Sequence, residues 1–284
     1  MVVHSLCVPT ICSISPNPNP NPNPNPFRSS SPHPQLVLRF RTTYRENLRY
    51  LKTLGIISND NNNTNKFFSS ETLDRILSIV NFLKSKGFSD HHIQSLSFRC
   101  PKIFFSNIDP TEIDPVLEFL TVDLSASRDE TCGLILRCPE ILFSDVRFCL
   151  RPTLLFLREL GLEKLNSPTS LNAHLLNTRV PKLVAKIRFL ESLGLSYEES
   201  SRICARLPAI FGYSVDNNLR PKIEYLVEEM DRSIDELKVF PQYFAFSLER
   251  RIVPRHLHLK ERNVQVPLQR MLLWSDQKFY TKWK

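Results

Sequence analysis

Pro101-Lys-Ile-Phe-Phe-Ser106 returns as Pro139-Glu-Ile-Leu-Phe-Ser144, as Pro208-Ala-Ile-Phe-Gly-Tyr-Ser214 and as Pro241-Gln-Tyr-Phe-Ala-Phe-Ser247. The intervals between the four prolines are 38, 69 and 33 residues. The middle interval is close to two periods of about 34, so one copy between Pro139 and Pro208 is degenerate. A second series, Pro115, Pro152, Pro221 and Pro254, stands 13 or 14 residues after the first, and Pro181 fits it in the degenerate copy. Helical apolar spacing follows, as in Leu154, Leu155, Leu157 and Leu160, or Leu183, Val184, Ile187 and Leu190. Proline suits the first turn of a helix, where an N–H has no partner to lose, so these prolines read as helix starts.

The other punctuation marks close one helix and open the next. Leu54-Gly55-Ile56, Lys86-Gly87-Phe88, Leu160-Gly161-Leu162 and Leu193-Gly194-Leu195 put glycine where a helix ends in the left-handed region. Ser127-x-x-Glu130, Ser196-x-x-Glu199 and Ser233-x-x-Glu236 read as capping boxes, with Ser89 and His92 in the same slot. Each unit is therefore a proline-started helix, a glycine or polar stop, a serine-capped helix and a short proline-led turn. Neither helix is long enough to bury its apolar face alone, so the units must stack. The expected fold is all-α, an α-solenoid of about 34-residue units. Asn166 to Thr178 is the degenerate stretch, without a Pro-x-Ile-Phe box and without a clear capping serine.

Composition bounds the rest. The formal charge of +8 is uneven: residues 1–45 hold four arginines and no acid, residues 46–246 hold 24 basic and 26 acidic side chains, and residues 247–284 hold nine basic and three acidic. A polyanion-binding surface would thus sit at the C-terminal end, beyond a near-neutral body. Residues 1–43, acid-poor with an Asn-Pro run from Pro16 to Pro26, read as a disordered organellar transit peptide. The absence of arginine before Arg28 favours chloroplast, with mitochondrion the alternative. Residues 44–58 form a partial first unit, 59–70 an Asn-rich loop, and 71–284 the array with its basic C-terminal cap. No apolar run is long enough to span a membrane. Of the seven cysteines, none in a C-x-x-C pair, Cys7 and Cys12 lie in the leader, and Cys100, Cys132, Cys138, Cys149 and Cys204, scattered in apolar surroundings, read as buried, reduced thiols.

The elements Arg99-Cys-Pro101, Arg137-Cys-Pro139 and Arg206-Leu-Pro208, each followed by Ile and Phe or Leu and then Ser, resemble the repeat of the mitochondrial transcription termination factor (mTERF) family. The last copy departs from it, with Val239 ahead of Phe240-Pro241. Tyr243-Phe-Ala-Phe-Ser-Leu-Glu-Arg-Arg-Ile-Val-Pro-Arg255 and Leu272-Leu-Trp-Ser-Asp-Gln-Lys-Phe279 resemble the closing segments of plant organellar members. The resemblance covers about residues 44–284. It implies a superhelical stack of three-helix units whose concave side takes double-stranded nucleic acid. The roles it implies are organellar transcription termination or initiation, intron splicing and ribosomal RNA maturation.

The candidate contacts are basic. Arg250, Arg251, Arg255, Lys260 and Arg262 form the densest cluster, and a helix beginning near Pro254 puts Arg255 and His258 on one face with Arg262 a turn further. Arg151, Lys182, Arg220 and Lys222 recur beside the repeat prolines, as do Arg99, Arg137 and Arg206. Guanidinium forks suit phosphate oxygens. The same side chains could instead cap a solenoid end, cover apolar helix ends with their stems, or bind the C-terminal carbonyls of the previous helix. Arg99, Arg137 and Arg206 fit the structural reading best. The box aromatics Phe104, Phe105, Phe143, Phe211, Phe244 and Phe246 read as core rather than base-stacking groups. No phosphate-cradling glycine loop, H-E-x-x-H or G-x-S-x-G motif is present, so an enzyme is not expected. The expectation is a monomeric nucleic-acid-binding regulator of organellar gene expression, with double-stranded DNA or structured RNA as partner. No cofactor, metal, small-molecule substrate or membrane is expected. A protein-binding scaffold is the alternative.

Overall fold

The computed structural model describes residues 34–57 and 69–284, with side chains from residue 43 onward. The leader call for residues 1–33 and most of the Asn-rich loop lie outside the described residues. The described chain is all-α, without a strand, and residues 44–284 are a stacked helical array. The first helix, Pro34–Thr53, begins ten residues ahead of the boundary set from composition and ends at Gly55. Six units follow. Their first helices are Ser70–Ser85, 110–123, 146–159, Val180–Glu191, 215–229 and 248–260. Second helices are Asp90–Arg99, Arg128–Arg137, Ser170–Leu176, Tyr197–Arg206 and Glu236–Val239. A short third helix completes units one, two, four and five, at Lys102–Phe105, Pro139–Phe143, Pro208–Gly212 and Pro241–Ala245. Unit six instead ends in Leu268–Leu273 and Asp276–Lys282.

Every first helix ends the same way, but only some do it with glycine. Gly55, Gly87, Gly161 and Gly194 have φ of 66°, 105°, 87° and 96°, as their spacing implied. Ser125, Asp231 and Asn263 fill the same slot in units two, five and six at 57°, 49° and 53°. The turn-closing bonds follow: Phe88 N donates to Leu83 O, Leu162 N to Leu157 O and Val264 N to Leu259 O, satisfying carbonyls that the helix leaves open. Asn and Asp tolerate the left-handed region through local hydrogen bonding; serine does so less well. Ser125→Gly is therefore expected to stabilise the protein by about 0.5–1 kcal/mol, raising Tm by about 2 °C in a calorimetric scan. A lower Tm would mean that Ser125 carries a compensating interaction.

Of the second proline series only Pro181 stands at the start of its continuous helix. The true N-caps are Asp109, Asp145, Ser214 and Ser247, whose side chains accept from Thr111 N, Phe148 N, Asn217 N and Arg250 N. Pro152, Pro221 and Pro254 come seven residues later. The turn ahead of each is wound wide, with Leu150 N to Asp145 O at 3.0 Å, Leu219 N to Ser214 O at 3.1 Å and Ile252 N to Ser247 O at 3.0 Å. A residue that cannot donate interrupts the ordinary ladder there. Pro115 is interior to Pro110–Glu118. Pro181 sits in the first turn of Val180–Glu191, one turn earlier relative to its stop than the other prolines.

The capping boxes at Ser89/His92, Ser127/Glu130 and Ser196/Glu199 form. The one expected at Ser233 does not: Ser233 Oγ accepts from Asp235 N, while Glu236 pairs with Arg232 at 2.8 Å. In unit three Thr169 caps the second helix, no third helix follows, and Pro168 packs on Gly133 of unit two. Phe104, Phe211 and Phe244 are core, but Phe105 and Phe143 are exposed, the latter beneath Lys102 Nζ at 4.1 Å. The aromatic-core reading is thus corrected for those two. Cys100, Cys132, Cys138, Cys149 and Cys204 are free and buried, and burial pushes the Cys204 thiol up to about 12. Among the described residues no helix is long and apolar enough to cross a membrane, and no group of three His, Cys, Asp or Glu could hold a metal.

Candidate nucleic-acid interface

Counted back from the left-handed stop, one position of the first helix repeats its chemistry. Thr153, Lys186, Lys222 and Arg255 all lie eight or nine residues before their stops. Each donates to a carbonyl near the end of its own unit's last segment. Thr153 Oγ1 reaches Thr178 O at 2.8 Å, Lys186 Nζ reaches Tyr213 O, Lys222 Nζ reaches Phe244 O at 2.6 Å, and Arg255 reaches Met271 O and Trp274 O. Four of these acceptors, Tyr213, Phe244, Met271 and Trp274, belong to short terminal helices or their caps, whose last carbonyls have no helical donor, and a cation complements the negative end of the helix. Burial pushes the amines of Lys186 and Lys222 below their usual value. Lys222 is 5% exposed and Arg255 1%.

A second set ties unit to unit. Arg99 donates to Leu136 O and Arg137 O, the latter at 3.1 Å, and Arg206 donates to Lys238 O at 2.6 Å and Val239 O at 3.0 Å. The carbonyls bound belong to the following unit's second helix, not to the previous one. Arg137 faces the shortened second helix of unit three and turns back to Gly133 O at 3.4 Å.

These uses divide the nine candidate residues. Lys222, Arg251 and Arg255 are spent inside the fold. Arg251 donates to Leu272 O at 2.9 Å and Trp274 O at 2.6 Å. Arg255 also pairs with Asp276 and lies 4.5 Å from the Phe279 ring centre. The guanidinium holds the Asp276 carboxyl below the usual carboxylate range. The face shared by Arg255 and His258 is real, but it points at the last helix: His258 Nε2 is hydrogen-bonded to Trp283 O and the ring lies against Phe279. Arg151 pairs with Asp123 at 3.1 Å, Arg220 with Asp216 at 3.4 Å and Arg262 with Glu261 at 3.4 Å, all at the surface. Lys182, Arg250 and Lys260 are exposed, and their side chains make no hydrogen bond or ion pair among the described residues. Arg270, exposed on Leu268–Leu273, is equally free and was not among the nine; only its place in the basic tail pointed to it.

The mTERF family model matches residues 34–167 and 108–280. Transcription termination factor MTERF2, chloroplastic, of Arabidopsis thaliana is 41% identical over 98 residues, 34% of this chain and 15% of that protein. MTERF8, chloroplastic, of the same plant is 34% identical over 89 residues, 31% of this chain and 18% of the relative. The mitochondrial MTEF18 of Arabidopsis thaliana is 30% identical over 100 residues, 35% of this chain and 18% of its own length. The matched stretch is thus under a fifth of each of these relatives. The family match, by contrast, runs through the whole helical array, and the chain belongs to the mTERF family.

Proposed function

We propose that this protein binds double-stranded DNA or structured RNA in an organelle, as a regulator of transcription or RNA maturation. The observation that carries the reading is family membership, with relatives named as transcription termination factors. The free cations on the array and its basic end supply the means. Lys182, Arg250 and Lys260 contact phosphates directly, while Arg151, Arg220 and Arg262 exchange a surface carboxylate for one. Residues 1–43 act as a transit peptide, 44–58 as a partial unit, 59–70 as a loop and 71–284 as the binding array. Chloroplast is the compartment we favour, in line with the chloroplastic names of MTERF2 and MTERF8. The protein works as a monomer, without cofactor, membrane, small-molecule substrate or catalysis.

The test is duplex binding by fluorescence anisotropy across a salt series. A variant combining Lys182→Ala, Arg250→Ala and Lys260→Ala should lower the slope of log K against log salt by about 2.7, since each phosphate contact contributes about 0.9. Affinity should fall about 30-fold at low salt, with little dependence on sequence. An unchanged slope would remove these residues from the interface. Exposed apolar side chains, Phe98 at 90% and Phe148 at 74%, favour protein scaffolding as the second reading. A co-purifying protein with no nucleic-acid affinity at any salt would select it.

A further inference from the structure

Both tryptophans of the chain lie in its last two helices. Trp274 ends Leu268–Leu273, Trp283 ends Asp276–Lys282, and their rings are 12° from parallel with centres 6.5 Å apart. Beside Trp274 opens a surface cleft of about 490 Å³ lined by Trp274, Ser275, Gln277, Lys278, Thr281 and Lys282. The lining offers an aromatic ring, two ammonium groups, an amide and two hydroxyls, and no carboxylate. The neighbouring acid, Asp276, is bound to Arg255 and outside the lining. Lys278 Nζ lies 4.5 Å from the centre of the Trp274 ring, an exposed cation–π contact that is weak and easily exchanged.

A plain anion would use the lysines and leave the ring idle. An uncharged aromatic molecule would use the ring and leave two cations facing nothing. A ligand that uses both is flat and unsaturated at one end and anionic at the other, and a cleft of this size takes a group the size of one nucleotide. We propose that the cleft holds one unpaired nucleotide, its base stacked on Trp274 and its phosphate between Lys278 and Lys282, at a single-stranded end adjoining a bound duplex. This rests on the nucleic-acid reading above and adds a base contact to it. Stacking tolerates any base, so the site senses strandedness, not sequence.

Because both tryptophans are here, fluorescence excited selectively at tryptophan reports the last two helices, with Trp274 in the cleft itself and Trp283 beside it. The experiment titrates the protein with a blunt duplex and with the same duplex carrying three-nucleotide 5′ or 3′ overhangs. The expected result is quenching by an overhang and about ten-fold tighter binding than to the blunt duplex. Trp274→Ala should abolish that advantage and leave blunt binding unchanged, while Trp274→Phe keeps most of it. The Trp274 carbonyl that Arg251 and Arg255 use survives either change. Should Trp274→Ala lose its helical circular dichroism, the double variant Lys278→Ala, Lys282→Ala serves instead, with the same loss expected. Equal affinity for blunt and overhang duplexes, or an advantage that survives these variants, overturns the proposal and leaves the duplex reading standing. Failure of both duplexes to bind overturns both.

Discussion

Arg255→Ala should destabilise the protein by about 3 kcal/mol or more, although the residue lies in the most basic stretch of the chain and invites a reading as a phosphate contact. The side chain is 1% exposed and binds two carbonyls, one carboxylate and one aromatic ring of the terminal helices. Removing it leaves the buried carbonyl of Met271 without this donor, the half-buried carbonyl of Trp274 with Arg251 alone, and Phe279 beside a void. The loss should begin locally. In urea, tryptophan fluorescence reports only Trp274 and Trp283, and should shift at lower denaturant than the far-ultraviolet circular dichroism of the whole array. Arg255→Lys should recover little, because one ammonium cannot span the positions that the guanidinium fork reaches. Arg250→Ala, five residues away and exposed, should stay within about 0.5 kcal/mol of the parent. Equal unfolding midpoints for the Arg255 and Arg250 variants would show that the buried contacts contribute nothing. Weakened nucleic-acid binding by an Arg255 variant would, on this view, report a detached cap.

The second large effect is expected at Gly133, where two principles give opposite signs. Gly133 is inside Arg128–Arg137, and replacing a helix-interior glycine by alanine gains about 0.8–1 kcal/mol of helix propensity. A Cβ there would meet Pro168 Cβ at 2.6 Å and its Cγ at 3.3 Å. Proline cannot swing away as a flexible side chain would, so backbone must move, and forcing atoms into a filled space costs about 1–3 kcal/mol. Steric cost should win narrowly for Gly133→Ala, at about 1 kcal/mol net. It should win clearly for Gly133→Leu, at about 3 kcal/mol, because Leu must displace the segment that carries Pro168. Thermal unfolding of the two variants decides it: a Tm for Gly133→Ala above the parent would mean the contact yields freely.

What could be foreseen from the sequence was what is decided within a few residues. Ser127 with Glu130, Ser196 with Glu199 and the four glycine stops act on their own backbone, so the spacing alone located them. Ser125, Asp231 and Asn263 hold the same conformation with ordinary residues, and only the register of the neighbouring units identifies them. Helix starts were misplaced because proline is compatible both with a first turn and with a wide turn further in, and the wide turn shifts the faces that simple 3.6-residue counting assigns. The candidate interface was harder still. Whether a basic side chain is inside or outside depends on acceptors far along the chain: Lys186 bonds 27 residues ahead and Arg255 bonds 16. Charge counting treats Arg250 and Arg255 alike; burial separates them.

Many of the bonds that hold this array, within units and between them, run from a side chain on one helix to the main chain of another. Arg99, Arg206, Lys186, Lys222 and Arg255 all read carbonyl oxygens. A carbonyl is common to every residue type, so the acceptor half of each joint is indifferent to mutation. Leu136, Val239, Phe244 and Met271 answer to their own packing, not to the arginine or lysine they receive. Only one partner of each such joint has to be kept for the two helices to stay aligned, and the second position is at liberty to drift. Copies as unlike as Pro101-Lys-Ile-Phe and Pro241-Gln-Tyr-Phe can then occupy equivalent places without paired, compensating changes.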